Sequence, residues 1–245
     1  CSDILLANSA EEVRQLVDLY DADRSRIEVV PPGVDHAFFT PGSQVVARRA
    51  TGLGAGSVLL FAGRIQPLKG VDVAVRTLAE LGRPDARLVV VGGASGSAGE
   101  AEALRVRRIA ESHGLVDRVQ FVDPQPHHCL AYWYRASDVV LMPSRSESFG
   151  LVALEAAACG IPVVAAAVGG LRTLVDHGRT GYLVDGRDPS TYAAHVAEIL
   201  DDPIAASEMS TAATQRSWSY TWSATAARLR RICDDLSSRV LVDCA

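Results

Sequence analysis

Two carboxylates, Glu147 and Glu155, stand eight residues apart in SRSESFGLVALEAAACGIPVV, residues 144–164, where nearly every other residue is small or apolar. A buried carboxylate without partners costs several kcal/mol. Glu155 is the only charge in LVALEAAAC, so it needs donors. Paired sugar hydroxyls are one source, and a salt bridge to an arginine distant in sequence is another. Glu147 falls on the loop before that stretch. A second group is cationic. Arg64 and Lys69 in GRIQPLKG lie five apart around Pro67. Such a pair can straddle a diphosphate, or it can be two solvated loop charges.

A third group consists of backbone donors. The amides of Phe149, Gly150 and Leu151 open the stretch LVALEAAAC, at a helix N-terminus that favours phosphate. Ser148 is the expected N-cap, and Gly150 lets a ligand approach the backbone closely. VVVGGASGSAG, residues 89–99, either offers further amides to an anion or is a surface loop. Its glycines run G-G-x-x-G, and no acid closes the following strand where a dinucleotide site needs one. NAD is therefore not expected.

These groups need a frame. SVLLFAG (57–63), ARLVVVGG (86–93), RVQFVD (118–123), DVVLMPS (138–144), IPVVAAA (161–167) and GYLVD (181–185) read as strands. Most are near-continuous apolar runs, as in parallel strands covered on both faces. Between them VDVAVRTLAEL, AEALRVRRIAESHG, CLAYWYRAS, LVALEAAAC and LRTLVDHG carry helical spacing, with Gly114, Gly160 and Gly178 as helix-ending glycines. The alternation predicts an α/β, Rossmann-like, doubly wound parallel sheet. In such sheets ligands bind outside the carboxyl ends of the strands, which is where the candidate residues fall.

The remaining features exclude more than they suggest. The net charge of −5 and the lack of a basic block argue against nucleic acid as a partner. Cys1, Cys129, Cys159, Cys233 and Cys244 are odd in number and widely spaced. Neither a disulfide framework nor a zinc site is expected, and a reducing cytoplasm fits best. No apolar run is long enough to span a bilayer. His127 and His128 have no metal-ligand spacing, and His113 and His177 sit at expected helix ends. WSYTW reads as aromatic packing and Cys159 as a core residue. Neither G-x-S-x-G nor H-E-x-x-H is present.

GRIQPLKG, the E-x7-E element ESFGLVALE, ACGIPVVA, GGL and GRTGYLV together resemble the carboxyl-terminal domain of retaining GT-B glycosyltransferases, family 4. The resemblance covers about residues 20–225. It implies a UDP-sugar donor. Arg64 and Lys69 match the pair that holds the UDP diphosphate and supports its departure. Glu155 matches the acid on the ribose hydroxyls, and Glu147 the acid at the donor hexose. Phe149, Gly150 and Leu151 match the loop that meets sugar and phosphate. Gln125 falls where relatives contact uracil through the backbone. Arg64, Lys69 and Glu147 are thus the implied catalytic residues. Some relatives hold a structural Mg2+ through backbone groups that match Tyr134, Arg135, Ser137 and Ile161. No cofactor is implied for the chemistry.

FAGRIQPLKG, VVVGGASGS, PSRSESFGLVALEA and VVAAAVGGL are most similar to family members that transfer N-acetylglucosamine from UDP-GlcNAc to 1D-myo-inositol 3-phosphate in mycothiol biosynthesis. That implies an inositol phosphate acceptor, with a homodimer also compatible. Other expectations are a transferase with another donor or acceptor, a UDP-sugar epimerase, or a nucleotide-sugar binding module. The family places its site between two Rossmann-like domains. On that pattern residues 1–30 are the tail of the first domain and 31–45 the linker. Residues 46–216 are the donor-binding domain, and 217–245 are helices that cross back. The acceptor groups would then lie in an upstream part, and this half alone is expected to be inactive.

Overall fold

The computed structural model describes residues 2–243; Cys1 and Cys244 lie outside the described residues. Six strands form one parallel sheet: β3 (Val58–Ala62), β4 (Arg87–Val91), β5 (Val119–Val122), β6 (Val139–Met142), β7 (Val163–Ala166) and β8 (Gly181–Val184). Their spatial order is β5-β4-β3-β6-β7-β8. Each strand lies within one of the six apolar runs read from the sequence. All five residues of β3 are buried. Val58, Leu60 and Ala62 enter one core, whereas Leu59 and Phe61 enter the other. The period of two thus continues, but both faces are dry.

Two helical layers account for that dryness. The first core takes side chains from α2 (Gln44–Thr51), α5 (His127–Ala136), α6 (Leu151–Ala158) and α7 (Leu171–Leu174). The second takes them from α3 (Val71–Leu81), α4 (Gly99–Ser112), α8 (Pro189–Asp201) and α9 (Pro203–Ser217). The doubly wound α/β expectation is met. A small parallel pair, β1 (Leu5–Ala7) with β2 (Ile27–Val29), carries α1 (Ala10–Tyr20) on a third, minor core of Ala7, Val13 and Ile27.

Several local expectations are corrected. Ser148 is not the cap of α6. Gly150 holds that position with φ +104 and no side-chain cap bond. The helix expected from LRTLVDHG stops at Leu174, because Val175–Gly181 closes into a turn held by Asp176 and Thr180. Gly178 therefore sits in that turn and not at a helix end. WSYTW spans the break between α9 and α10 (Trp222–Asp243), with Trp218 stacked on His36 at 4.3 Å. The segment 28–42 opens as the end of β2 and then runs irregularly, bridged to the chain's far end through Val34 and Thr221. Among the described residues no helix is long and apolar enough to cross a membrane.

Candidate functional site

The sheet order reverses between β3 and β6. From β3 the chain winds one way through β4 and β5, and from β6 the other way through β7 and β8. The loops that leave the carboxyl ends of β3 and β6 diverge there and open a crevice. Arg64 and Lys69 follow β3, and Glu147 follows β6. The crevice is a cavity of about 470 Å³ whose lining includes Arg64, Lys69, Glu147, Phe149, Gly150 and Leu151. A second cavity of about 300 Å³ adjoins it, walled by Gly92, Gly93, Ser95, Pro124 and Gln125. Gly63 and Arg64 line both. The glycine loop after β4 and the candidate uracil position Gln125 thus share the second chamber.

Cross-loop hydrogen bonds hold these loops as one surface. Gln66 Nε2 donates to the Ser95 carbonyl at 3.1 Å, which ties the β3 loop to the β4 loop. The Arg145 amide donates to the Leu68 carbonyl at 2.8 Å, and the Gly170 amide to the Glu147 carbonyl at 3.0 Å. Gly169, at φ +50, lets this happen, since a Cβ there would collide with the Glu147 carbonyl oxygen. From the minor unit, the buried Ser9 Oγ donates to the Ser148 carbonyl at 3.1 Å. Asn8 joins the lining of the first cavity.

Inside the crevice Lys69 Nζ pairs with Glu147 Oε2 at 2.7 Å, both side chains largely shielded. Among the described residues Arg64 is in no salt bridge, and it lines both chambers. The site therefore holds one neutralised cation and one open one beside helix-terminal amides. Such an arrangement accepts a dianion, and the loop acid serves hydroxyl donors.

Glu155 has a different setting. It is only 6% exposed. Its Oε2 accepts the Tyr134 hydroxyl at 2.7 Å, and its Oε1 meets His127 Nε2 at 2.7 Å. The partners are thus a tyrosine and a histidine, not the distant arginine that was one expectation. Burial, reinforced by the Glu155 charge, pushes the Tyr134 phenol well above its ordinary pKa. The phenol remains a donor. Burial likewise raises the Cys159 thiol to about 12, in keeping with a packed and unreactive residue. Glu155 follows Leu151 by one helical turn of α6 and so stands next to the lined wall of the first cavity.

His127 is the residue that sequence reasoning left without a role. Its one legible signal is position. It opens α5 and precedes Tyr134 by seven, two turns on the same helical face. Of the backbone set Tyr134, Arg135, Ser137 and Ile161, two carbonyls already accept protein donors. The Tyr134 carbonyl already accepts the Ser137 amide at 3.0 Å and the Ser137 hydroxyl at 2.7 Å. The Ser137 carbonyl takes Gln44 Nε2 at 3.3 Å.

The model for glycosyl transferases group 1 matches residues 47–216. A D-inositol 3-phosphate glycosyltransferase of Thermobispora bispora is 48% identical over 246 residues, covering 98% of this chain and 57% of that protein. One from Acidothermus cellulolyticus is 53% identical over 207 residues, 82% of this chain and 46% of that protein. The chain spans about half the length of the curated relatives it matches. Sucrose-phosphate synthase from Thermosynechococcus elongatus superposes with a TM-score of 0.90 at 32% identity, covering 98% of this chain and 59% of that one. Anabaena Alr3699/HepE, solved in complex with UDP-glucose, shares the fold at a TM-score of 0.87 and 23% identity, over 97% of this chain and 64% of that one. The family match takes in all six strands of the sheet and both loops at its switch point, and on that ground the chain belongs to the glycosyl transferases group 1 family.

Proposed function

We propose that the protein is a retaining glycosyltransferase that moves N-acetylglucosamine from UDP-GlcNAc to 1D-myo-inositol 3-phosphate, with this chain as the donor-binding half. The observation that carries the reading is the switch-point crevice, where Arg64, Lys69 and the amides of Phe149, Gly150 and Leu151 converge. The inositol phosphate acceptor rests on relatives of about half identity that bear that name. In this reading uracil lies by Gln125 and the ribose by Glu155. The diphosphate lies by Arg64 and Lys69, and the hexose by Glu147.

Departure of UDP builds negative charge on its phosphate oxygens. Lys69, held by Glu147, and the helix-terminal amides are set beforehand where that charge appears, and Arg64 adds a second cation, so together they lower the barrier. Lys69 reaches the phosphate only by sharing its ammonium with Glu147. That carboxylate then holds hexose hydroxyls and keeps the Lys69 chain extended. Retention follows if the acceptor hydroxyl attacks from the face the phosphate leaves. The departing oxygen then takes the proton, so no side-chain base is required.

Incubation of the complete protein with UDP-GlcNAc and 1D-myo-inositol 3-phosphate tests this. The expected products are UDP and an α-linked pseudodisaccharide. Turnover only with another donor or acceptor would reassign it to a different member of the family. Tight UDP binding without turnover on any acceptor would leave a binding module. Inversion at the anomeric carbon would remove the proposed same-face attack.

A further inference from the structure

Resting on the reading of Glu155 as the ribose carboxylate, we propose that Tyr134 and His127 are positioning residues that aim it and so set the protein's preference for ribonucleotides. An ionised carboxylate has about four acceptor positions, two on each oxygen. Tyr134 takes one on Oε2 and His127 one on Oε1. One position on each oxygen is left, matching a vicinal diol that donates two hydrogen bonds.

Placement supports the same pairing. Leu151 and Val152, a turn before Glu155 on α6, line the chamber that contains Arg64 and Lys69. Gln125, two residues before His127, lines the adjoining chamber. Neighbours of the carboxylate and of its histidine thus line the two adjoining chambers, one read as the diphosphate site and the other as the base site. A glutamate has three rotatable bonds, and freezing it on binding costs affinity. Here the cost is met in advance. Tyr134 is fully buried, and Phe39 from the connecting segment packs behind both donors, 4.9 Å from His127 and 5.9 Å from Tyr134. Phe39 and the buried Tyr134 thereby shield the carboxylate on one side.

The test compares UDP with 2′,3′-dideoxy-UDP by titration calorimetry on the complete protein and on Glu155→Ala, Tyr134→Phe, His127→Ala and His127→Gln. Tyr134→Phe and His127→Ala are each expected to weaken UDP roughly fivefold, about the scale of one hydrogen bond. Their affinity for the dideoxy nucleotide should stay within twofold of wild type. His127→Gln keeps an N–H donor and should recover most of the loss. If Glu155→Ala loses the discrimination and both partner variants retain it, the positioning role is overturned and the ribose reading stands. If Glu155→Ala still discriminates, the ribose reading itself fails and takes this inference with it. Equal weakening of both nucleotides by Tyr134→Phe and His127→Ala would mark a packing defect and overturn the proposal. The His127 side chain is 64% exposed, so its variants remain informative even where Tyr134→Phe does not fold.

Discussion

Lys69 is the residue on which the charge balance of the crevice turns. Its ammonium holds Glu147 at 2.7 Å, while Arg64 lines both chambers without a salt-bridge partner among the described residues. Lys69→Ala removes a fixed cation from the departing phosphate and leaves Glu147 facing it unpaired. A loss of about a hundredfold in kcat is expected, the scale of one preorganised donor. Steady-state transfer assays check this, and a change under threefold would take Lys69 out of the departure step. Arg64 and Lys69 were legible as candidates because two cations five apart follow a strand end, and Glu147 because it is a carboxylate in a largely apolar stretch. The partners of Glu155 were not legible. Tyr134 and His127 precede it by 21 and 28 residues, and helical phase places their side chains on one face without saying which helix that face meets.

At the scale of elements, the loop between β7 and α7 supports the loop between β6 and α6. Gly169→Ala puts a Cβ into the Glu147 carbonyl at a positive φ. About 2 kcal/mol of destabilisation is expected, from strain plus displacement of the loop. Urea unfolding measures the first part, and a raised KM for the nucleotide sugar measures the second. An unaltered KM would uncouple the two loops. Helix α8 offers a test of opposite sign. Tyr192 is fully buried in the second core, and among the described residues its hydroxyl has no hydrogen-bond partner. Tyr192→Phe removes an unsatisfied polar group and is expected to be neutral or to stabilise by up to about 1 kcal/mol. Burial also raises the Tyr192 phenol above its ordinary pKa. The unfolded phenol therefore ionises first, so stability is fully present below about pH 10 and is lost as pH climbs beyond it. The Phe variant should lose less stability over that alkaline range, as followed by urea midpoints from pH 9 upward. An equal loss would exclude Tyr192 as a contributor. The strands themselves were easy to read, since residues buried on both faces make apolar runs. The α6 cap was misread because Ser148 has the right chemistry, whereas the backbone turn at that point needs a positive φ that Gly150 supplies.

On the scale of the whole molecule, the small β1–β2 unit and the sheet domain meet at the crevice. Ser9 both caps α1, through the Glu12 amide at 3.2 Å, and donates to the Ser148 carbonyl. Ser9→Ala breaks both bonds in a buried position. A loss of about 1–2 kcal/mol is expected, together with weaker nucleotide-sugar binding, because Ser148 and Asn8 line the same cavity. Denaturation and binding titrations on one variant separate the two effects. Lost stability with unchanged affinity would confine Ser9 to capping. The irregular segment after β2 and the start of α10 run together. Val34 bridges to Thr221, and Thr225 Oγ1 donates to the Pro31 carbonyl at 2.8 Å. The segment after β2 and the start of α10 are thus joined to each other.

The sequence by itself determined the layered α/β architecture, because apolar run length and helical period are local properties that record burial on one or two faces. It also marked candidate side chains for a nucleotide sugar, because cations, loop acids and helix-start amides declare their chemistry wherever they lie. Tertiary structure alone decided how they meet. The strand order places the β3 and β6 loops side by side at the reversal, an outcome of non-local pairing that no window of sequence contains. It likewise decided that the lone carboxylate of α6 would be satisfied by a tyrosine and a histidine of α5, because helix–helix packing, and not spacing along one helix, brings those donors within reach.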